Sequence, residues 1–546
     1  MVDDRAHQSA EVADFVVVGT GSAGSVVAEG LSADSKHEVA VLEAGGKDND
    51  RRVHVPAAFP QLIRSEFDWD YLTEPQEGLN GRQICWPRGK VLGGSSSLNA
   101  MMWVRGFAAD YDEWAEHSGG EWGFSSIAQH YSRIERLEVA PGPRRARGQQ
   151  YVSVQRDPRS LTAAWLRAVQ NAGYPIERPN LAEPRGFSQA EVTQRRGARW
   201  SAADAYLRPA LRRKNLRLIT SATATRVIFE GRRAIGVEFV HGERRSVIRA
   251  RREVVLCAGA VNSPQLLLLS GIGDHADVCV HGIEPVYHAP EVGKNLRDHL
   301  VAFLGFGVQR DSLFGARARR HTANYLLRRR GMLTSPLAEA YGFVRSDPAL
   351  ALPDIELLFA PGPLFDEGLA PPEGHAVALG SILLKPQSLG RISLRSADPT
   401  AKPVIDPAYL SDEEGRDRDA IIEGLRICAK ISEVSPLKEL LGPIVRPRGA
   451  TGFGEEVLQE ALNSGAHTLY HPVGTCRMGN DASSVVTPRL EVRGVHGLRI
   501  ADASVMPSAI RGHTHAPSMV IGAKAVELMT SQQSTGSCER GRWEIA

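Results

Sequence analysis

Asp14-Phe-Val-Val-Val18 runs directly into Gly19-Thr-Gly21-Ser-Ala-Gly24, and this junction decides the architecture. The β-branched run suits a strand buried on both faces. Ser22 to Ser32, rich in Ala, Val and Leu, predicts a helix, and Glu38-Val-Ala-Val-Leu42 predicts a second strand ending at Glu43. Strand, G-x-G-x-x-G turn, helix and strand make a βαβ unit whose helix N-terminus faces phosphate groups. Gly19 permits the tight turn, Gly21 lets the backbone approach a pyrophosphate, and Gly24 lets the helix pack on the strand. Glu43 lies 24 residues after Gly19, where a carboxylate can accept hydrogen bonds from ribose hydroxyls. The reading is a dinucleotide site.

Two more stretches share this small-residue character. Arg88-Gly-Lys-Val-Leu-Gly93-Gly-Ser-Ser-Ser-Leu98-Asn99 can turn successive N–H groups inward around a phosphate or a ring, and the apolar run Leu98 to Val104 anchors it. Val254 to Gly259, followed by Ser263-Pro264 and four leucines, reads as strand, turn and helix, a second close approach to the cofactor. Arg244 to Arg252 holds five arginines interrupted by Val247 and Ile248, which suggests a solvated hairpin edge rather than a polyanion site. Gly123 to Leu137 reads as a helix on the spacing of Ile127, Tyr131 and Ile134, and Pro141 to Gln150 as an exposed connection. Gly380 to Leu384 and Gly390 to Leu394 look like strands of an antiparallel sheet. The arginines around Tyr325-Leu-Leu327 form a basic segment that reads mainly as a solvated face, with membrane or acidic-partner contact the lesser alternative.

Size and composition bound the rest. At 546 residues and 42% apolar content, two domains are expected. Lys plus Arg number 65 against 63 Asp plus Glu, so the net charge of +2 gives no reason to invoke nucleic acid. Six cysteines lie without C-x-x-C spacing, so neither a disulfide framework nor a metal site is expected. Met1 to Ala13 lacks signal-peptide character, and no apolar run approaches the roughly 20 residues of a membrane span. A cytoplasmic protein is the expectation, with Ser531 to Ala546 a polar tail.

Near the C-terminus, His467-Thr-Leu-Tyr-His471-Pro-Val-Gly-Thr and Arg511-Gly-His513-Thr-His515-Ala-Pro517 flank an apolar segment leading to Asp502. Dinucleotide-type signals therefore occur from one end of the chain to the other. The expected organisation is a Rossmann-like, discontinuous dinucleotide-binding domain (1–151, 199–303, 467–535) carrying an inserted α+β substrate-binding domain on an antiparallel sheet (152–198, 304–466), with a tail at 536–546.

From Asp14 to Met529 these motifs resemble the glucose-methanol-choline (GMC) flavoprotein oxidoreductases, with the Gly89 to Asp112 and Gly259 to Gly273 signatures both present. The resemblance implies FAD, with Gly19, Gly21, Ser22, Gly24 and Glu43 on its ADP half and Val227 at the adenine. It places Gly94, Ser95 and Asn99 on the flavin side and Asp502 and Ala503 along the ribityl chain. Ala44, Val91, Met101, Ala258, His513 and Pro517 complete the implied cofactor set, the helix begun by Pro517 aiming its positive end at the flavin. Leu98 stands where covalently flavinylated members carry histidine, so FAD is expected to be non-covalent. His471 is the implied base beside the flavin and His513 its partner; His467 and His515 are supporting. The implied reaction is oxidation of a primary alcohol, with electrons passing to oxygen, a quinone or a redox partner. The pattern looks most like choline and alcohol dehydrogenases, although a glutamate expected near Gly307 for choline is absent. A hydroxynitrile-lyase-type protein with non-redox FAD is the alternative; a photodecarboxylase or a non-catalytic flavin protein ranks lower because both histidines are present.

Overall fold

The structure, a computed structural model, describes residues 11–138, 148–316, 318–363, 365 and 373–539. The expected connection at Pro141 to Gln150 falls largely outside these residues, as do Arg317 and the last seven positions of the tail.

Two sheets organise the chain. In the first, Leu216–Ile219, Val39–Leu42, Glu11–Val18 and Arg244–Leu256 lie side by side in parallel, and Leu498–Ile500 adds parallel to the far end of Arg244–Leu256. Arg233–His241 and Ala222–Glu230 extend it as an antiparallel meander. Val16, Val17, Val39 and Val41 are buried because strands with neighbours on both edges and helices on their faces meet no water. The helix Ser22–Leu31 follows the first strand, as its Ala/Val/Leu content predicts.

The second sheet is wholly antiparallel, in the order Leu441–Arg446, Leu300–Val308, Ala376–Leu383, Ile355–Ala360, Ala340–Val344 and Phe187–Gln189. Its alternation has a clear meaning. Leu304, Leu357 and Leu379 pack in one core with Ile421 and Leu425 of the helix Arg416–Ser432, while Phe303, Leu358 and Ala378 pack in another with Met101 and Met102. One face lies under a helix and the other against the glycine-rich loop, so a cavity opens at the meeting of the two sheets.

Several expectations are corrected. Arg244 to Arg252 does open a solvated hairpin with Arg233–His241, its arginines exposed, but the strand does not stop there: it runs on to Leu256 and pairs with Glu11–Val18 from Ile248 onward. The 303/304 junction falls inside Leu300–Val308, and His467–Thr468 pairs with that strand, so both belong to the second sheet. Ala376–Leu383 and Arg391–Ser393 are antiparallel strands as expected, but the second pairs with Val404–Asp406 in a separate ribbon. The helix from Phe124 ends at Ile134. The C-terminal helix begins at His515 and runs to Glu539, past the expected start of the tail at Ser531. Tyr325 is buried beneath the helix Arg319–Arg328, which leaves Leu326 and Leu327 in solvent. Among the described residues no helix is long and apolar enough to cross a membrane.

Candidate active site

The phosphate turn is built on two close approaches. A Cβ on Gly19, at φ +99°, would lie 2.4 Å from the Cys257 carbonyl oxygen, and one on Gly24 would lie 2.1 Å from the Gly19 carbonyl oxygen. Gly21 differs, because its Cβ would meet nothing within 4 Å and would project into the cavity. Glu43, buried below the turn, accepts from Thr20 N at 3.0 Å, Thr20 Oγ1 at 2.5 Å and Gly45 N at 2.8 Å. Burial raises its pKa while these hydrogen bonds oppose the rise.

Arg199 fixes the loop after Gly93. Fully buried, it donates to Val53 O at 2.7 Å, Ser96 O at 3.1 Å and Asn99 Oδ1 at 2.7 Å. Asn99 Oδ1 also accepts from Met101 N at 3.0 Å, holding Met101 at φ +60° on the cavity wall. Asp502 closes the third approach, accepting from Gly259 N at 2.9 Å, Ser263 Oγ at 2.6 Å and Ser504 N at 2.8 Å.

The two histidine segments converge on one wall. The rings of His471 and His513 stand 4.7 Å apart, tilted by 44°. Behind His471, Nδ1 meets His299 Nδ1 at 3.0 Å, so one of the two carries the shared proton. Behind His513, Nε2 lies 3.2 Å from Oε1 of Glu356, a carboxylate with no solvent exposure. The His471 turn is braced separately: Asp298 Oδ1 accepts from His471 N at 2.7 Å, and its Oδ2 accepts from Thr468 and Tyr409. Desolvation, reinforced by His513, His299 and Arg88, holds the His471 pKa well below 6.5, so the ring is neutral near pH 7. His299 is pulled down to about 3, again mainly by burial.

The other two histidines also line the cavity, and each is tied to the surrounding frame. His515 Nδ1 bonds Ser22 Oγ at 2.7 Å and its ring meets Trp103 edge-on, tying the C-terminal helix to the phosphate turn. His467 Nδ1 bonds Thr468 O at 2.7 Å and the ring stacks on Phe303.

Comparison with known proteins fits this geometry. Models of the GMC oxidoreductase family match residues 13–301 and 386–522. The chain belongs to the GMC oxidoreductase family. An uncharacterised GMC-type oxidoreductase of Mycobacterium tuberculosis is 61% identical over 523 residues, covering 95% of this chain and 99% of the relative. An alcohol dehydrogenase [acceptor] of Pseudomonas putida is 38% identical over 538 residues, covering 96% and 97%. Among solved structures, pyridoxine 4-oxidase from Mesorbium loti superposes with a TM-score of 0.85 at 30% identity, covering 94% of this chain and 98% of that one. This GMC protein is an FAD-dependent oxidoreductase.

The residues present suit FAD. One cavity of about 430 Å³ has walls that include Gly19, Gly21, Ser22, Glu43 and Ala44, then Gly94, Ser95, Asn99 and Met101, then Ala258, Asp502, Ala503, His471 and His513. A Cβ on Gly94 would come 2.8 Å from Gly21 Cα, so two bare backbones meet where a pyrophosphate needs to pass. Four expected cofactor residues do not line it. Gly24 acts in helix packing, Val91 is buried in a small apolar cluster, and Pro517 sits inside the first turn of a helix that starts at His515. Val227 faces the core, with its N–H on Ser270 Oγ; Ala222, Thr223 and Ala224 hold the wall instead.

Sequence reasoning also passed over His299, Asp298, Glu356 and Arg199. Three had a visible sign: Asp298-His299 is a polar pair entering an apolar strand, and Glu356 is a lone charge in Ile-Glu-Leu-Leu-Phe-Ala.

Proposed function

We propose that this protein oxidises the CH–OH group of a primary alcohol to a carbonyl, with His471 as base and His513 as the partner that holds the alcohol oxygen. The histidine pair carries the reading: two imidazoles 4.7 Å apart on a cavity wall, each tied from behind through one nitrogen and left with the other. The Pseudomonas putida relative is named as an alcohol dehydrogenase, which points the same way. FAD, when bound, supplies a two-electron acceptor for the hydride of the carbinol carbon. Losing hydride alone would leave a protonated carbonyl, so the hydroxyl proton needs a base. A neutral His471 meets that need, and His299 behind it fixes the ring's orientation. His513, held by Glu356, supports the oxygen from the second side.

Anaerobic stopped-flow mixing with a panel of alcohols tests this. Flavin bleaching is expected with primary alcohols; a flavin that stays oxidised with every alcohol would remove the proposal. Cyanide release from a cyanohydrin without bleaching would place the protein with the lyases. Reoxidation by oxygen, a quinone and a dye in turn identifies the acceptor.

The His471 environment also predicts a pH profile. A protonated His471 cannot accept a proton, so the rate is lost as pH falls through its pKa in the folded protein. Because that pKa is depressed, flavin reduction is expected to stay flat from about pH 8 through ~6.5 and to decline only below that. A midpoint at or above 6.5 would remove His471 as the titrating base.

A further inference from the structure

We infer that the alcohol taken by this site is uncharged and apolar, a hydrocarbon-chain or aryl primary alcohol, and that Phe303, Leu337 and Leu358 form the surface that selects it. The inference rests on the alcohol-oxidation reading and names its substrate class.

Placement on the strand is the first reason. Glu356 and Leu358 are two residues apart in Ile355–Ala360, so both point to the same face, about 6.8 Å apart along the strand. Glu356 grips His513, which puts Leu358 one side-chain step from the reacting end, and Leu358 lines the cavity. Phe303, two strands away in the same sheet, lines it as well and stacks on His467 at 5.5 Å. A substrate carbon chain leaving the histidine pair therefore runs along hydrocarbon.

Leu337 continues that surface. It packs against the cluster that contains Phe303 and Leu358 and also against the one that contains Phe59 and Leu98, joining the two into one apolar wall. It does so at φ +79°, with its N–H on Ser335 Oγ at 3.2 Å. A γ-branched residue in the left-handed region is strained, and such strain concentrates at ligand sites.

Charge is the second reason. Among the described residues lining the cavity, the only carboxylates are Glu43 and Asp502. Each already accepts three hydrogen bonds at the cofactor end. The lining cations are Arg88, Lys90 and Lys402, and Lys90 sits 4.7 Å over the Trp69 ring, occupying an aromatic face of the kind that binds ammonium groups. Arg88 and Lys402 are engaged in turn, with Tyr470 O and with Asp70. A quaternary ammonium entering here would lose its hydration with no open lining carboxylate to replace it, since Glu356 lies behind His513 and is engaged with it.

The test compares choline with 3,3-dimethylbutan-1-ol, its neutral isostere, and runs the n-alkan-1-ols from ethanol to octan-1-ol. The second-order rate of flavin reduction is expected to rise roughly three- to fourfold per methylene, and choline is expected to react at least ~100-fold more slowly than its isostere. Calorimetric titration of dithionite-reduced holoenzyme gives the same order of affinities without turnover. Should no alcohol bleach the flavin, the oxidation reading falls, and the binding order still decides the substrate class. Choline binding or reacting as well as its isostere, or a flat chain-length series, overturns the inference. Leu358→Ala should flatten the chain-length slope in both measurements; a general folding defect would lower all alcohols together.

Discussion

Replacing His471 with alanine is expected to leave FAD bound while lowering the rate of flavin reduction by roughly 10²- to 10⁴-fold, the usual contribution of a positioned base. The backbone around residue 471 does not depend on the ring, because Asp298 holds its N–H and Arg88 donates to the Tyr470 carbonyl at 2.8 Å. The side chain can therefore be removed without moving the loop. His513 cannot move into the place of the missing ring, because Glu356 tethers it through Nε2. His299 cannot either: it sits behind the missing ring, is 1% exposed, and is held neutral down to about pH 3 by burial. Flavin absorbance per protein reports cofactor content, and anaerobic stopped flow reports the rate. A variant reducing its flavin at close to the parent rate would take His471 out of the mechanism.

The parts of this fold that were legible in the sequence are those set by neighbours in the chain. The first βαβ unit follows from β-branched residues, glycines and an acid within 30 residues, because each contact there is local or one strand away. The histidines were found through resemblance rather than periodicity. Their partners were not found, since Glu356 is 157 residues from His513 and His299 is 172 from His471, and no local pattern says which faces of two sheets will meet. Arg244 to Arg252 was legible in part, because a two-residue turn closes its hairpin with Arg233–His241. Its arginines meet water as the pattern says, while the parallel pairing with Glu11–Val18 that begins at Ile248 has no local sign. Val227 shows the limit of carrying a role across by alignment. On Ala222–Glu230 a residue three positions beyond Ala224 leaves the cavity wall and enters the core.

Gly21→Val is expected to give a folded protein that has lost FAD, with binding weakened on the order of 100-fold. Two observations separate folding from binding here. Gly21 has φ −63°, an ordinary value for any L residue, and a Cβ there meets no protein atom within 4 Å. Nothing in the fold resists the substitution. What a branched side chain takes up is the space in front of the Ser22–Leu31 helix, where the glycine turn and Gly94 leave bare backbone and the N-terminal N–H groups are free to hold a pyrophosphate. Gly19→Val is the contrasting case. At φ +99° and 2.4 Å from a carbonyl oxygen, its Cβ collides with the protein itself, so soluble yield is expected to fall before cofactor content can be measured. Soluble yield of both variants, with circular dichroism and flavin absorbance on purified Gly21→Val, distinguishes these outcomes. If Gly21→Val kept a full complement of FAD, the pyrophosphate would have to lie elsewhere, and the turn that decides the fold would not be the one that holds the cofactor.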